Sequence, residues 1–156
     1  MEASPIWKEP SVLAWCHILL ASYRHWMGTD LIEPSDNPAS QSHALFHAPF
    51  VLVSHGIEDD PLLNYGNHMA LSLWEFSWDE LIRTPSRVTA EPVNRAERER
   101  MLREAGANGH IKNYRGVRIS KSGRRFMIEQ AVVWNVLDSA GHRVGQAATF
   151  SNWRFL

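Results

Sequence analysis

The chain has 156 residues, of which 44% are hydrophobic and 21% charged, with a formal net charge of −1. This length supports one hydrophobic core, and this composition excludes a disordered chain. The balanced charge excludes a global field that would recruit nucleic acid or an anionic membrane.

Pro10-Ser11 opens a helical pattern that runs to Met27. Val12, Trp15, Cys16, Leu19, Tyr23 and Trp26 recur at spacings of three and four, which makes one apolar stripe, and Gly28 ends it. Residues 1–28 therefore read as an amphipathic N-terminal extension docked onto something apolar. The run 12–20 is too short to span a bilayer, and no secretory signal precedes it. Cys16 is the single cysteine, so no internal disulfide forms. A cytoplasmic location is the expectation. Residues 29–42, rich in Pro, Ser, Asp and Asn, read as a linker, and residues 43–156 as the main domain.

Residues 44–55 read as a first strand, Glu58-Asp59-Asp60-Pro61 as a turn, and 62–65 as a second strand. Asn67 suits the N-cap of a short helix carrying Met69, Ala70, Leu73 and Trp74. Ser77-Trp78-Asp79-Glu80 is a capping box, and the helix it starts stops before Pro85. Asn94-Arg95-Ala96-Glu97 reads as a second capping box, opening a charged helix to Ala105 with Met101, Leu102 and Ala105 as its buried stripe. Three strands follow, over 110–119, 125–137 and 143–155, separated by turns at Ser120-Lys121-Ser122-Gly123 and Asp138-Ser139-Ala140-Gly141. Strict alternation places Phe126, Ile128, Gln130, Val132, Trp134 and Val136 on one face of the middle strand. The other face, from Met127 to Leu137, is mixed rather than polar, so it too needs cover. The N-terminal helix or a second subunit is expected to supply it.

The order of two strands, short helices, a longer helix and three strands resembles the PAS domain. Asn64-Tyr65-Gly66-Asn67, Ala70, Trp74 and Ser77-Trp78-Asp79-Glu80-Leu81 are similar to the PAS stretch after the second strand. The resemblance is closer to one branch, the MEKHLA domain. It is carried by Trp78-Asp79-Glu80-Leu81, Pro85-Ser86-Arg87, Ala90-Glu91-Pro92-Val93-Asn94-Arg95, Gly116-Val117-Arg118-Ile119-Ser120, Ser122-Gly123-Arg124-Arg125-Phe126, Ala131-Val132-Val133-Trp134-Asn135 and Gly145-Gln146-Ala147-Ala148-Thr149-Phe150. The namesake hexapeptide is absent. That family occurs at the end of plant homeodomain–leucine zipper regulators and as small stand-alone bacterial proteins, and this chain resembles the second kind. The resemblance implies an α+β fold: a PAS-like five-stranded antiparallel sheet with helices on one face and an N-terminal helical extension. It implies a sensory or regulatory domain with a mostly apolar small ligand between sheet and helices, signalling through protein contact. A homodimer and an unidentified protein partner are the expected associations. A ligand-free interaction scaffold, its core filled by its own tryptophans, is the competing reading.

The expected pocket residues are Trp74, Arg87, Ile128, Gln130 and Trp134, with Arg87 and Gln130 supplying polarity. Arg83-Thr84-Pro85-Ser86-Arg87-Val88 is similar to the segment of light-oxygen-voltage photosensors in which a reactive cysteine precedes a phosphate-binding arginine. Ser86 stands at the cysteine position and cannot form a thiolate-type adduct. A flavin-binding domain lacking its photoactive cysteine is therefore a further alternative. Haem is disfavoured, because the charged helix carries no histidine and His68 and His110 fall at element ends. A metal is disfavoured because His43 and His47, read on a strand, stand about 13 Å apart. No GxSxG, HExxH or P-loop pattern marks an enzyme. The arginines of the charged helix alternate with glutamates, which reads as a solvated face rather than a phosphate track.

Overall fold

The computed structural model describes residues 5–156. After a 3-10 turn at Ile6–Lys8 comes helix α1, Pro10–Met27, with Pro10 in its first turn and Gly28 in the left-handed conformation at its end. Helix α2, Pro38–Phe46, follows. This corrects the expected linker and first strand. Asn37 accepts hydrogen bonds from the backbone of Ala39 and Ser40, and Pro38 is pre-set for the first turn, so a segment with loop composition is a capped helix. The first strand, β1, spans only Val51–His55.

Strand β2, Leu63–Gly66, pairs antiparallel with β1 and leads into helix α3, His68–Trp74. The Asn67 side chain is fully buried. Its Oδ1 accepts from the backbone N–H of Ala70 and Leu52, and its Nδ2 donates to the carbonyls of Phe50 and Leu45. These four bonds fill the amide's capacity and tie α2, β1 and α3 together. The Ser77–Glu80 capping box opens helix α4, Trp78–Leu81. A 3-10 turn at Ser86–Thr89 precedes helix α5, Pro92–Asn108. The expected capping box at Asn94 is not formed, because Pro92 starts the helix two residues earlier. Strands β3 (His110–Ile119), β4 (Arg125–Leu137), β5 (Arg143–Phe150) and β6 (Asn152–Phe155) complete the chain. The expected last strand is thus two, interrupted at Ser151. The sheet is antiparallel in the order β2-β1-β5-β4-β3, with β6 continuing β5 along β4.

A crease crosses the sheet. Gln130 in β4 and Asn113 in β3 have positive φ, 53° and 56°, and the β3–β4 register is irregular around Tyr114. Ile128 and Val133 consequently belong to the same core despite their odd spacing, as do Ile111 and Tyr114 in β3 and Phe150 and Trp153 across the β5–β6 break. A strict period of two would put the members of each pair on opposite faces.

The sheet therefore separates two cores. One lies under α3 and α5 and includes Trp74, Met101, Ala105, Phe126, Ile128, Val133 and Phe150. The other lies under α1 and α2 and includes Val12, Cys16, Leu19, Leu45, Leu52, Tyr65, Trp134 and Val136. The helical stripe of α1 covers a sheet face, but on β4 this is the face of Trp134 and Val136 rather than the Met127–Leu137 alternation expected to need cover, because the crease exchanges the two faces beyond Gln130. Trp15 Nε1 donates to Ser54 Oγ at 2.9 Å, and Trp26 Nε1 donates to the Asn135 carbonyl at 2.9 Å.

Candidate functional site

Between the inner sheet face and α3, α5 and the 3-10 turn at Ser86–Thr89 lies a cavity of about 60 Å³. Its apolar wall comes from Val53, Leu63, Trp74, Met101, Leu102, Ile128, Val133, Ala147, Ala148 and Phe150. Its polar wall comes from Ser54, His55, Ser86, Thr89, Arg98, Tyr114, Arg118 and Gln146. Among the described residues, no aspartate or glutamate lines it.

Arg98 and Arg118 are each 5% exposed. Arg98 lies one turn before Met101 on the buried side of α5, which is why its stem enters the core. Its Nη1 donates to Glu99 at 3.0 Å, a carboxylate that is itself half-exposed, and its Nη2 donates to Ser86 Oγ. Burial, and then the nearby Arg118 charge, bring its pKa down to about 10, so it stays cationic at neutral pH. Arg118, on β3, donates to the Val117 carbonyl at 2.8 Å and to the Tyr114 hydroxyl at 3.1 Å. Tyr114 passes its own proton toward Glu97, at 2.8 Å. Among the described residues, no carboxylate lies within ion-pair distance of Arg118.

His55 sits at the end of β1 with Nδ1 2.9 Å from the Gly56 carbonyl, while its buried Nε2 has no partner. Burial holds its pKa below the usual histidine value, so the ring is neutral with the proton on Nδ1. Gln146 donates to the Leu102 carbonyl at 3.0 Å and to Asn135 Oδ1 at 3.2 Å. His55, Ser86, Arg98, Leu102 and Gln146 also line a cleft of about 280 Å³ that carries Arg87, Arg103 and Arg143. The cavity and this cleft thus share a wall.

The structure brings two of the five expected pocket residues, Trp74 and Ile128, to the cavity. Arg87 instead lies in the outer cleft, about half-exposed and paired with Asp60 at 3.2 Å. Gln130 is exposed at the crease, where its side chain accepts from Asn152 Nδ2. Trp134 is fully buried in the outer core against Tyr23, with ring centroids 5.1 Å apart. The crease inverts the alternation on which the placement of Gln130 and Trp134 rested. It also divides the expected aromatic set. Trp74 and Phe126 pack together at 5.3 Å, whereas Trp78 packs on Tyr65 in the outer core. His43 and His47 lie on or next to α2, not on a strand, and their rings are 4.5 Å apart. His68 is 6.2 Å from His47.

Sequence reasoning missed Arg98, Arg118 and His55. Arg98 had a signal: its spacing of three and seven from Met101 and Ala105 puts it on the buried stripe. Arg118 alternates with buried Tyr114, Gly116 and Ser120 beyond the crease, but period two alone does not say which face is covered.

The MEKHLA domain profile matches residues 13–155, nearly the whole fold just described, α1 included. The chain belongs to the MEKHLA domain family. This MEKHLA domain is 28% identical over 137 residues to the homeobox-leucine zipper protein HOX10 of Oryza sativa, in both its indica and japonica forms. The match covers 86% of this chain and 16% of the rice protein, so the chain spans about a sixth of the relatives' length.

Solved structures share the fold at low identity. The PAS domain of a protein from Colwellia psychrerythraea superposes with a TM-score of 0.62 and 15% identity, covering 75% of this chain and 94% of that one. An RNA-binding light-oxygen-voltage receptor gives 0.64 and 19%, covering 78% and 34%. The light-oxygen-voltage domain of aureochrome 1 in its dark state gives 0.56 and 21%, covering 78% and 87%. The fold of this MEKHLA domain is therefore PAS-like. Among the described residues, no helix is long and apolar enough to cross a membrane.

Proposed function

We propose that this MEKHLA domain is a sensory or regulatory module that binds a small, mostly apolar ligand between its sheet and α3/α5, and signals through protein contact. One observation carries the reading: the cavity wall joins apolar side chains to convergent polar groups, as the walls of small-molecule sites do. Native mass spectrometry of freshly purified protein tests it. Extra mass that denaturation releases supports a ligand. Bare mass, with no stabilisation by any small apolar or amphipathic compound, favours the scaffold reading.

A flavin fits this cavity poorly. Drug-sized ligands fill roughly 300–1,000 Å³, against about 60 Å³ here. Absorbance near 450 nm in the purified protein, or uptake of added flavin, would reverse that judgement.

The output we propose is a protein contact, with a second copy of the chain as its first candidate. The outer sheet face is occupied by α1 within the same chain, so a dimer would use another surface. Exposed Val93 and Val88, beside the turn that walls the cavity, offer apolar area where ligand occupancy is felt. Light scattering at high concentration, with and without ligand, tests this; a monomer throughout counts against it.

A further inference from the structure

The cavity's polar wall is rich in donors and positive charge. Arg98 and Arg118 bring two buried guanidinium groups, each with five N–H donors, and the protein partners named above engage two donors on each. Trp74, 4% exposed, has an Nε1–H with no acceptor. Among the described residues, Arg98 has one direct carboxylate partner, at the surface, and Arg118 has none. Buried cations are ordinarily paired, and buried donors ordinarily find acceptors. An anion in the cavity would satisfy both requirements.

Size narrows the class. At about 10–15 Å³ per water-sized site, a cavity of about 60 Å³ holds roughly four to six non-hydrogen atoms. Part of the wall is apolar, with Ile128 and Phe150 among its side chains. A dianion with oxygens all round, such as phosphate, would leave oxygens against that wall. A short carboxylate would give two oxygens to the guanidinium donors and leave its alkyl end to the apolar side chains.

We propose that the cavity of this MEKHLA domain binds a short-chain organic monocarboxylate, its carboxylate held by Arg98 and Arg118 and its alkyl end against Ile128 and Phe150. The proposal rests on the small-ligand reading above and specifies that ligand's charge and size. The unpartnered Nε2 of His55 gives it a second consequence. The ring faces Arg98, Arg143 and Glu58, with Gly56 O on Nδ1. An anion beside it favours the imidazolium, so binding draws a proton from solution.

The test uses the full chain, titrated by calorimetry with sodium butyrate, butyramide, 1-butanol and inorganic phosphate. Butyrate is expected to bind at least tenfold more tightly than butyramide, with net proton uptake seen as a buffer-dependent heat. Arg118→Met and Arg98→Met should each weaken butyrate at least tenfold while sparing 1-butanol. Should either variant fail to fold, the wild-type protein still decides the matter by NMR. Butyrate must shift the side-chain Nε–Hε signals of both arginines and the Ile128 methyl, and binding without those shifts overturns the site. Equal binding of butyrate and butyramide overturns the charge assignment and leaves the small-ligand reading standing. Phosphate binding as tightly as butyrate overturns the carboxylate assignment. If no probe binds and the protein carries no co-purified mass, both readings fall.

Discussion

Ile128 and Val133 stand five positions apart on one strand, yet both line the same cavity. The turnover happens at Gln130, whose φ of 53° places two successive side chains, Glu129 and Gln130, away from that core. Left-handed backbone costs an L-residue about 1–2 kcal/mol, and a β-branched one more. Gln130→Val should therefore lower stability by about 1–2 kcal/mol in urea denaturation. Gln130→Gly should be neutral or stabilising by up to about 1 kcal/mol, since it removes strain and loses only the exposed bond from Asn152. Equal loss in both variants would show that the side chain, not the backbone, holds the crease.

This crease also marks where the sequence stops being legible. Ser77–Glu80, Asn67 and the α1 stripe announce themselves because capping and helical periodicity are local. The order of elements was readable for the same reason. A left-handed Gln130 has no such mark, so Trp134 and Val133 could not be assigned to their faces by alternation. Asn37-Pro38 did carry a helix-start signal, but it was masked by the surrounding loop composition. Arg98 was hidden by its neighbours: Glu97, Glu99 and Arg100 are solvated, and only the spacing to Met101 distinguishes it. Burial of Arg118 depends on the fold as a whole.

The outer core depends on α1. Trp134 is fully buried against Tyr23, in the same apolar cluster as Leu19 and Cys16. Truncating a buried tryptophan typically costs about 3–5 kcal/mol, and Trp134→Ala should fall in that range. Removing residues 1–27 should expose the face of β4 that bears Trp134 and Val136, seen as increased binding of a hydrophobic dye and loss of solubility. A truncated protein as stable and monomeric as the full chain would mean α1 contributes nothing to the fold.

Gly109 joins α5 to β3 with φ 88°, and Trp26 of α1 lies directly against it. A Cβ there would stand 2.3 Å from the Trp26 ring. Gly109→Ala thus combines left-handed strain with overpacking, each about 1–3 kcal/mol. The variant should lose about 2–6 kcal/mol, and Trp26 fluorescence should report the displaced ring. If Gly109→Ala in a Trp26→Leu background costs as much, backbone strain alone is responsible.

Cys16 is buried, with Sγ 3.7 Å from Ser42 Oγ, and burial pushes its thiol pKa up. A protonated, enclosed thiol is a poor nucleophile. In the native protein Cys16 should resist a disulfide-exchange reagent, then react stoichiometrically in denaturant at the rate of unfolding. Prompt native labelling at neutral pH would mean that α1 detaches readily from the sheet.

His55 gives stability a pH dependence of known sign. Its folded pKa lies below the model-peptide 6.5, chiefly because burial disfavours the charged ring, with Arg98 and Arg143 acting in the same direction. Between 6.5 and that lower value, the unfolded chain binds a proton the folded chain refuses, so stability falls as pH falls through this window. Glu80, held down to about 2, and the lowered Asp138 and Glu75 lose their contributions only as pH drops below the ordinary carboxylate range, so their effect is separable. His47 shifts in the same direction but is exposed, and His47→Gln serves as its control. Denaturation measured from pH 7.5 to 5 should show a progressive loss for the wild type and the His47 variant, and a flatter profile for His55→Gln. Saturating butyrate should also flatten the wild-type profile, because an anion beside the imidazolium offsets its burial. An unchanged slope with butyrate bound would place the carboxylate away from His55.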